Sequence, residues 1–229
     1  MSRGNNSAGF DFLKVCRIFD VLSEKEKDLL KSSVLTIKYK NGETIFKQGT
    51  PFSHLAVLTK GFGKIFIEGY DHDLILSLVK SGDLISDPGI WVDGKHHFSL
   101  SSLSATEINL IDIHAFGHLL QNNSEFSQKM RIERSLTEVS MFDKMLSLTQ
   151  KHMSGRLAGT ISSLSKSIFF ADKFDMLISR QELADLTAMS KESVCRILKE
   201  FKDSKIIDFD GNNVEILNRG LLEKISEKG

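Results

Sequence analysis

The sequence predicts an α+β protein in three parts: a β-roll or barrel behind a short helix, a long helix, and a C-terminal pair of short helices with a β-hairpin. Three observations predict it. Short apolar runs separated by glycines fill Val34 to about Leu110, glycine and proline vanish between Glu125 and Met153, and two capping patterns bracket a tight turn near Ala188. With 229 residues, 41% hydrophobic and 26% charged, the chain is long enough for two modest domains and too apolar to be disordered.

The elements follow in order. Ser23 with Glu26 three residues on forms a capping-box pattern, so a short helix precedes the roll. The runs Val34 to Ile37, Leu55 to Leu58, Lys64 to Ile67, Leu74 to Val79, Phe98 to Leu103 and Ile108 to Ile113 read as strands, with Gly42, Gly49, Gly61, Gly82 and Gly94 among the turn residues between them. Ile132, Val139, Leu146 and Met153 then recur every seventh residue, with Leu136, Phe142 and Met145 beside them. Such a heptad seam, about 32 Å long at 1.5 Å per residue, is more than a compact β domain needs as cover. We expect Ile132, Leu136, Val139, Phe142, Leu146 and Met153 to form a homodimer seam; packing of the same stripe on the roll is the alternative. Ser154-Gly155 allows a bend before a further helix from Arg156 to Phe169. The expected domains are 1–115, 116–153 and 154–229.

Between Ile178 and Phe201 the chain reads ISRQELADLTAMSKESVCRILKEF. Ser179 with Glu182 makes a second capping box, and Leu183, Ala184 and Leu186 face inward from the helix it opens. Thr187-Ala188-Met189 is a tight turn, and Ser190 caps the next helix. Along that helix Val194, Ile197, Leu198 and Phe201 form an apolar stripe, opposite Glu192, Cys195, Arg196 and Lys199. One face packs and the other is presented. This is a helix-turn-helix pattern, whose second helix enters a DNA major groove. Arg196 can donate two hydrogen bonds to guanine and Glu192 can accept from cytosine, with Cys195 between them on the base-reading face. Ser179, Gln181, Ser190, Lys191 and Lys199 suit phosphate contacts that position the helix. A surface ion pair of Glu192 with Arg196 is the bland alternative, worth about 0.3 to 0.5 kcal/mol. Ile206 to Phe209, the turn Asp210-Gly211-Asn212-Asn213 and Val214 to Leu217 read as a wing hairpin.

Lys+Arg and Asp+Glu number 30 each, so no overall basic footprint exists, although the stretch from Ala115 to Phe170 carries a positive excess. Two cysteines, Cys16 and Cys195, exclude a disulfide framework, an iron–sulfur cluster and an all-cysteine zinc site within the chain, and no metal site is expected. Cys16 beside Val15 and Ile18 suits core packing, with a redox switch through an intermolecular disulfide as the alternative. A polar start and short apolar runs predict neither signal peptide nor membrane span, hence a soluble cytoplasmic protein. No P-loop, G-x-G-x-x-G, G-x-S-x-G or H-E-x-x-H motif occurs, so no catalytic residue is assigned and the chain is not expected to be an enzyme.

The stretch SRQELADLTAMSKESVCRILKEF resembles the signature of the CRP/FNR family of bacterial transcription regulators, and the resemblance extends over the whole chain through GETIFKQG (Gly42 to Gly49), SGDLIS (Ser81 to Ser86) and the wing. It implies a cyclic-nucleotide-binding-type β-roll, a dimerisation helix and a winged helix-turn-helix that binds double-stranded DNA and contacts RNA polymerase. It also implies that Glu192 and Arg196 read the G·C pairs of a TGA-containing half-site. Cys195 stands where the best-known members have Gly or Ser, and Ala188 where they have Gly. Cyclic-AMP-binding members use a Glu for the ribose and an Arg-Ser pair for the phosphate. Here Asp87 and Pro88 lie near the first position and His97-Phe98-Ser99 near the second, so His97 and Ser99 are the effector-pocket candidates and cyclic AMP is not expected. Two readings stand as alternatives. One is haem-dependent sensing of nitric oxide or carbon monoxide through His54, His72, His96, His97, His114 or His118; the other is a ligand-binding module without specific DNA recognition. If the segment is extended, His96 and His97 point to opposite sides. The identity of the small-molecule effector is left open by the sequence.

Overall fold

The computed structural model describes residues 11–229, which divide into two compact units, 11–67 with 78–137 and 68–77 with 138–229. The first unit opens with α1 (Phe12–Val15), a 3-10 turn (Arg17–Val21) and α2 (Glu24–Ser32). The expected capping box starts α2: the Ser23 hydroxyl accepts from the Glu26 N–H, and the Glu26 carboxylate accepts from the Ser23 N–H at 2.8 Å.

Strands β1 (Val34–Tyr39), β2 (Thr44–Phe46), β3 (His54–Lys60), β4 (Phe62–Ile67), β5 (Leu74–Lys80) and β6 (Leu84–Ile85) follow, then α3 (Gly89–Val92), β7 (Ser99–Ser102) and β8 (Thr106–Asp112). They form two sheets, in the orders β1-β8-β3-β6 and β2-β7-β4-β5. Ala56, Leu58, Val79, Ile85, Phe98, Leu100 and Ile108 make up the apolar cluster inside this roll. A second cluster lies under the helices. Phe12, Phe19, Leu30, Phe116 and Phe126 pack on Leu55, Val57 and Ile111, with Phe19 stacked on Phe126 at 6.0 Å and Phe116 edge-on to it at 5.4 Å. Cys16 is buried in this cluster, as its apolar neighbours predict, and burial pushes its thiol up to about 12.

The helical stretch is broken twice. Ile113, read as the end of a strand, begins α4 (Ile113–Asn122), because Asp112 accepts from the His114 and Ala115 N–H groups. Asn123 separates α4 from α5 (Ser124–Gln150): its side chain accepts from the Phe126 N–H and donates to Glu26. At the far end Lys151 and His152 interrupt the helix, and His152 is the N-cap of α6 (Met153–Ser163). Met153 therefore starts the next helix instead of closing the seam on α5. Its fellows Ile132, Leu136, Val139, Phe142 and Leu146 all lie on α5 and are 52–65% exposed.

The second unit continues as a π-helical turn (Leu164–Phe169), β9 (Lys173–Asp175), α7 (Arg180–Thr187), α8 (Lys191–Asp203), β10 (Ile207–Asp210), β11 (Asn213–Ile216) and α9 (Arg219–Lys228). The bend expected at Ser154-Gly155 falls at Lys151-His152, and Gly155 serves packing: a Cβ there would lie 2.6 Å from Gly229 beyond the end of α9. No described helix is long and apolar enough to cross a membrane.

Candidate nucleic-acid interface

Helices α7 and α8 are positioned by their own termini. At α7 the Glu182 N–H donates to Ser179 Oγ at 3.1 Å and the Ser179 N–H donates to Glu182 at 2.8 Å. At α8 the Ser193 N–H donates to Ser190 Oγ at 3.2 Å. Between them Ala188 adopts φ 50°, ψ 54°, the left-handed conformation that ends α7 and turns the chain into α8. Ala184 is fully buried where the helices approach, and Leu183, Val194, Ile197, Leu198 and Phe201 complete the apolar contact. The polar residues of α8 are consequently on the surface: Lys191, Glu192, Cys195, Arg196 and Lys199 are all exposed.

The side chains are partly engaged with one another. Arg196 Nη1 donates to Glu200 Oε1 at 2.7 Å, so the helix ion pair runs to Glu200 and not to Glu192. Gln181 donates to Asp185 at 2.9 Å, and the hydroxyls of Ser179 and Ser190 are committed to their caps. A wing stands beside these helices as a sheet of three strands in the order β10-β11-β9, one more than the expected hairpin. The missing strand β9 has three residues, and Phe174 alone faces inward, opposite Val214. Two residues missed by sequence reasoning tie the wing to the helices. Arg180 donates to Gly211 O at 3.2 Å and lies over the Phe209 ring at 5.2 Å, while Lys202 donates to Phe209 O at 2.8 Å and pairs with Asp208 at 2.7 Å. A basic residue four before an acidic one on a helix is a legible signal; one that reaches across to a hairpin is not.

The two effector-pocket candidates are not brought together. His97 is exposed, with Nε2 3.1 Å from Asp93, whereas Ser99 is fully buried and its Oγ accepts from the Gln48 N–H at 2.9 Å. The adjacent rings part, although the segment is a loop and not a strand: His96 is 6% exposed, stacked on Phe46. Among the described residues no group of three or more His, Cys, Asp or Glu could hold a metal ion.

Family models match both units: a cyclic nucleotide-binding domain over residues 36–123 and a Crp-like helix-turn-helix domain over residues 155–225. The cAMP-activated global transcriptional regulator CRP of Escherichia coli O6:H1 is 26% identical over 184 residues, covering 78% of this chain and 88% of the relative. Electron transport regulator A of Shewanella oneidensis is 27% identical over 186 residues, 77% of this chain and 72% of the relative. Among solved structures, FixK2 from Bradyrhizobium japonicum shares the fold with a TM-score of 0.77 at 18% identity, over 84% of this chain and 96% of that one. With the roll, the long helix and the capped helix pair all in place, the chain belongs to the CRP/FNR family of DNA-binding transcription regulators.

Proposed function

We propose that the protein works as a homodimer that reads a pseudo-palindromic DNA site through α8, under the control of an event in the β-roll other than cyclic AMP binding. The observation that carries the DNA reading is the division of α8: four apolar side chains are buried and the opposite face is exposed and charged. Glu192, Cys195 and Arg196 face the bases, and Ser179, Gln181, Ser190, Lys191 and Lys199 lie against the phosphates. The exposed stripe of α5 is the dimer seam, and two copies would set their α8 helices about 34 Å apart, one turn of DNA. RNA polymerase is the further partner expected of such a regulator.

Cyclic AMP is disfavoured by chemistry at the roll: no arginine stands at the phosphate position to compensate a buried anion, and the carboxylate of Asp87 is already bonded to its own chain. Of the six histidines that could serve a haem, His96 alone is buried, and its ring is held between Phe46 and Phe52, so no observation favours that reading.

The test is fluorescence anisotropy on a palindrome with TGA-type half-sites against a scrambled duplex at two salt concentrations. The wild type is expected to prefer the palindrome, and Arg196→Ala to lose about 1 to 3 kcal/mol of that preference, roughly 5- to 150-fold, with its affinity for the scrambled duplex little changed. Equal binding of both duplexes by the wild type would defeat the base-reading role.

A further inference from the structure

A buried carboxylate closes the segment between β6 and β7. Asp87 is fully buried; its Oδ1 accepts the Gly89 N–H at 2.8 Å and its Oδ2 accepts the His97 N–H at 2.8 Å. His96 Nδ1 lies 3.5 Å from Oδ2 and has no hydrogen-bond partner of its own, although the ring is 6% exposed. That ring is held between Phe46, stacked at 3.9 Å, and Phe52, tilted at 4.8 Å. The other charged or titratable groups of the surrounding segments, Lys47, Asp93, Lys95 and the His97 ring, are at the surface.

Around this group the chain is drawn tight. The Gly94 N–H donates to Gly89 O at 2.8 Å, and a Cβ on Gly89 would lie 1.6 Å from Lys95 O, so only glycine fits. The outer edge of the segment is bonded to residues 49–52: Gly49 donates to His96 O at 2.7 Å, His96 to Thr50 O at 2.9 Å and Phe52 to Gly94 O at 2.7 Å. Burial by itself would push the Asp87 carboxyl up, yet the His96 ring and the two N–H groups together outweigh it and hold the carboxyl below its ordinary value.

Two inward N–H donors and an imidazole that converge on one pair of oxygens constitute an anion site, and here the anion is a side chain of the same chain. We propose that Asp87 is an internal ligand of the effector segment: it occupies the anion position and holds the segment closed, so that a small external carboxylate can enter only when the Asp87 side chain is removed. The proposal deepens the reading of the roll given above, and only its last readout depends on DNA binding.

The test uses the full chain with Asp87→Ala, which deletes the anion and keeps its donors. Amide exchange at Gly89 and His97 is expected to speed up about 100-fold, and about 50 mM formate to slow it again at least tenfold, while formamide, the neutral analogue, has no effect. A merely structural aspartate would show the loss without the formate rescue. The proposal is overturned if these amides stay as protected as in the wild type, or if a cooperatively melting Asp87→Ala protein ignores formate. It is overturned without any variant if cyclic AMP or inorganic phosphate at about 1 mM changes wild-type exchange at these amides by more than about threefold, the mark of an open anion site. Wild-type binding to the palindrome is expected to need no added small molecule. Failure to bind DNA under any condition would sink the functional reading while leaving the exchange results to judge Asp87.

Discussion

Three side chains bear on the chemistry of the helix pair and of the N-terminal core. Ala188 sits at φ 50° in the turn between α7 and α8, where a Cβ crowds the following carbonyl. Replacing it by glycine removes that strain, which exceeds the extra entropy glycine loses on folding. Ala188→Gly is expected to stabilise the protein by about 1 kcal/mol, read as a higher urea midpoint at unchanged slope; a lower midpoint would mean that the turn carries no strain. The cysteines divide by burial. Cys16 is 3% exposed with its thiol pushed up to about 12 by desolvation, chiefly, and by nearby carboxylates, whereas Cys195 is exposed on α8. Iodoacetamide at pH 8 should therefore modify Cys195 and spare Cys16, as read by peptide mass spectrometry, because the thiolate is the reacting form. Labelling of Cys16 at a comparable rate in the native protein would reopen the redox switch that its burial argues against.

Among the elements, α5 is the one whose sequence and environment disagree unless a partner is supplied. Five seam side chains are more than half exposed, in a protein that buries Phe126 and Met130 on the same helix. That exposure is what the proposed dimer seam would cover. Phe142→Asp places a charge in its middle and is expected to raise the dimer dissociation constant at least about 100-fold while leaving the melting of the monomer units nearly unchanged; light scattering at micromolar concentration reads the outcome, and an unchanged dimer would move the interface elsewhere. Elements with local signatures were legible in the sequence. The Ser23 and Ser179 capping boxes, the Ala188 turn and the stripe of α8 depend on residues within a few positions of one another, and each stands where the pattern puts it. What was not legible depends on distant partners. Strand β9 exists because Lys173–Asp175 pairs with β11, and the seam helix ends at Gln150 because residues 151–152 turn into the cap of α6. The inward turn of His96 beside the outward His97 follows from a loop closed by Asp87, a contact that spacing alone does not announce.

At the scale of the molecule, equal numbers of acidic and basic residues leave no net positive charge to attract DNA over a long range. The compact units are not continuous stretches of sequence: residues 68–77, the tip of the β4–β5 hairpin, group with 138–229. Lys144 shows how that second unit is held. Its ammonium, on α5, donates to Ile75 O and to Leu186 O at 2.9 Å each, and so joins the hairpin, the long helix and the last turn of α7, where the helix dipole favours a cation. Burial pulls its pKa down from 10.5 to about 8, with no carboxylate to offset it. The sign of the linkage follows: between about 8 and 10.5 the unfolded chain holds a proton that the folded chain has released, so folding stability rises with pH across that window and levels off below it. Relative to Lys144→Met, which has no such proton, the wild type is expected to gain about 1 to 2 kcal/mol of unfolding free energy between pH 7.5 and 9.5, with all other titrations common to both proteins. Urea unfolding at the two pH values measures the difference. Parallel pH profiles would show that the amine stays fully charged in the folded protein, and that the two carbonyls repay the desolvation of Lys144 in full.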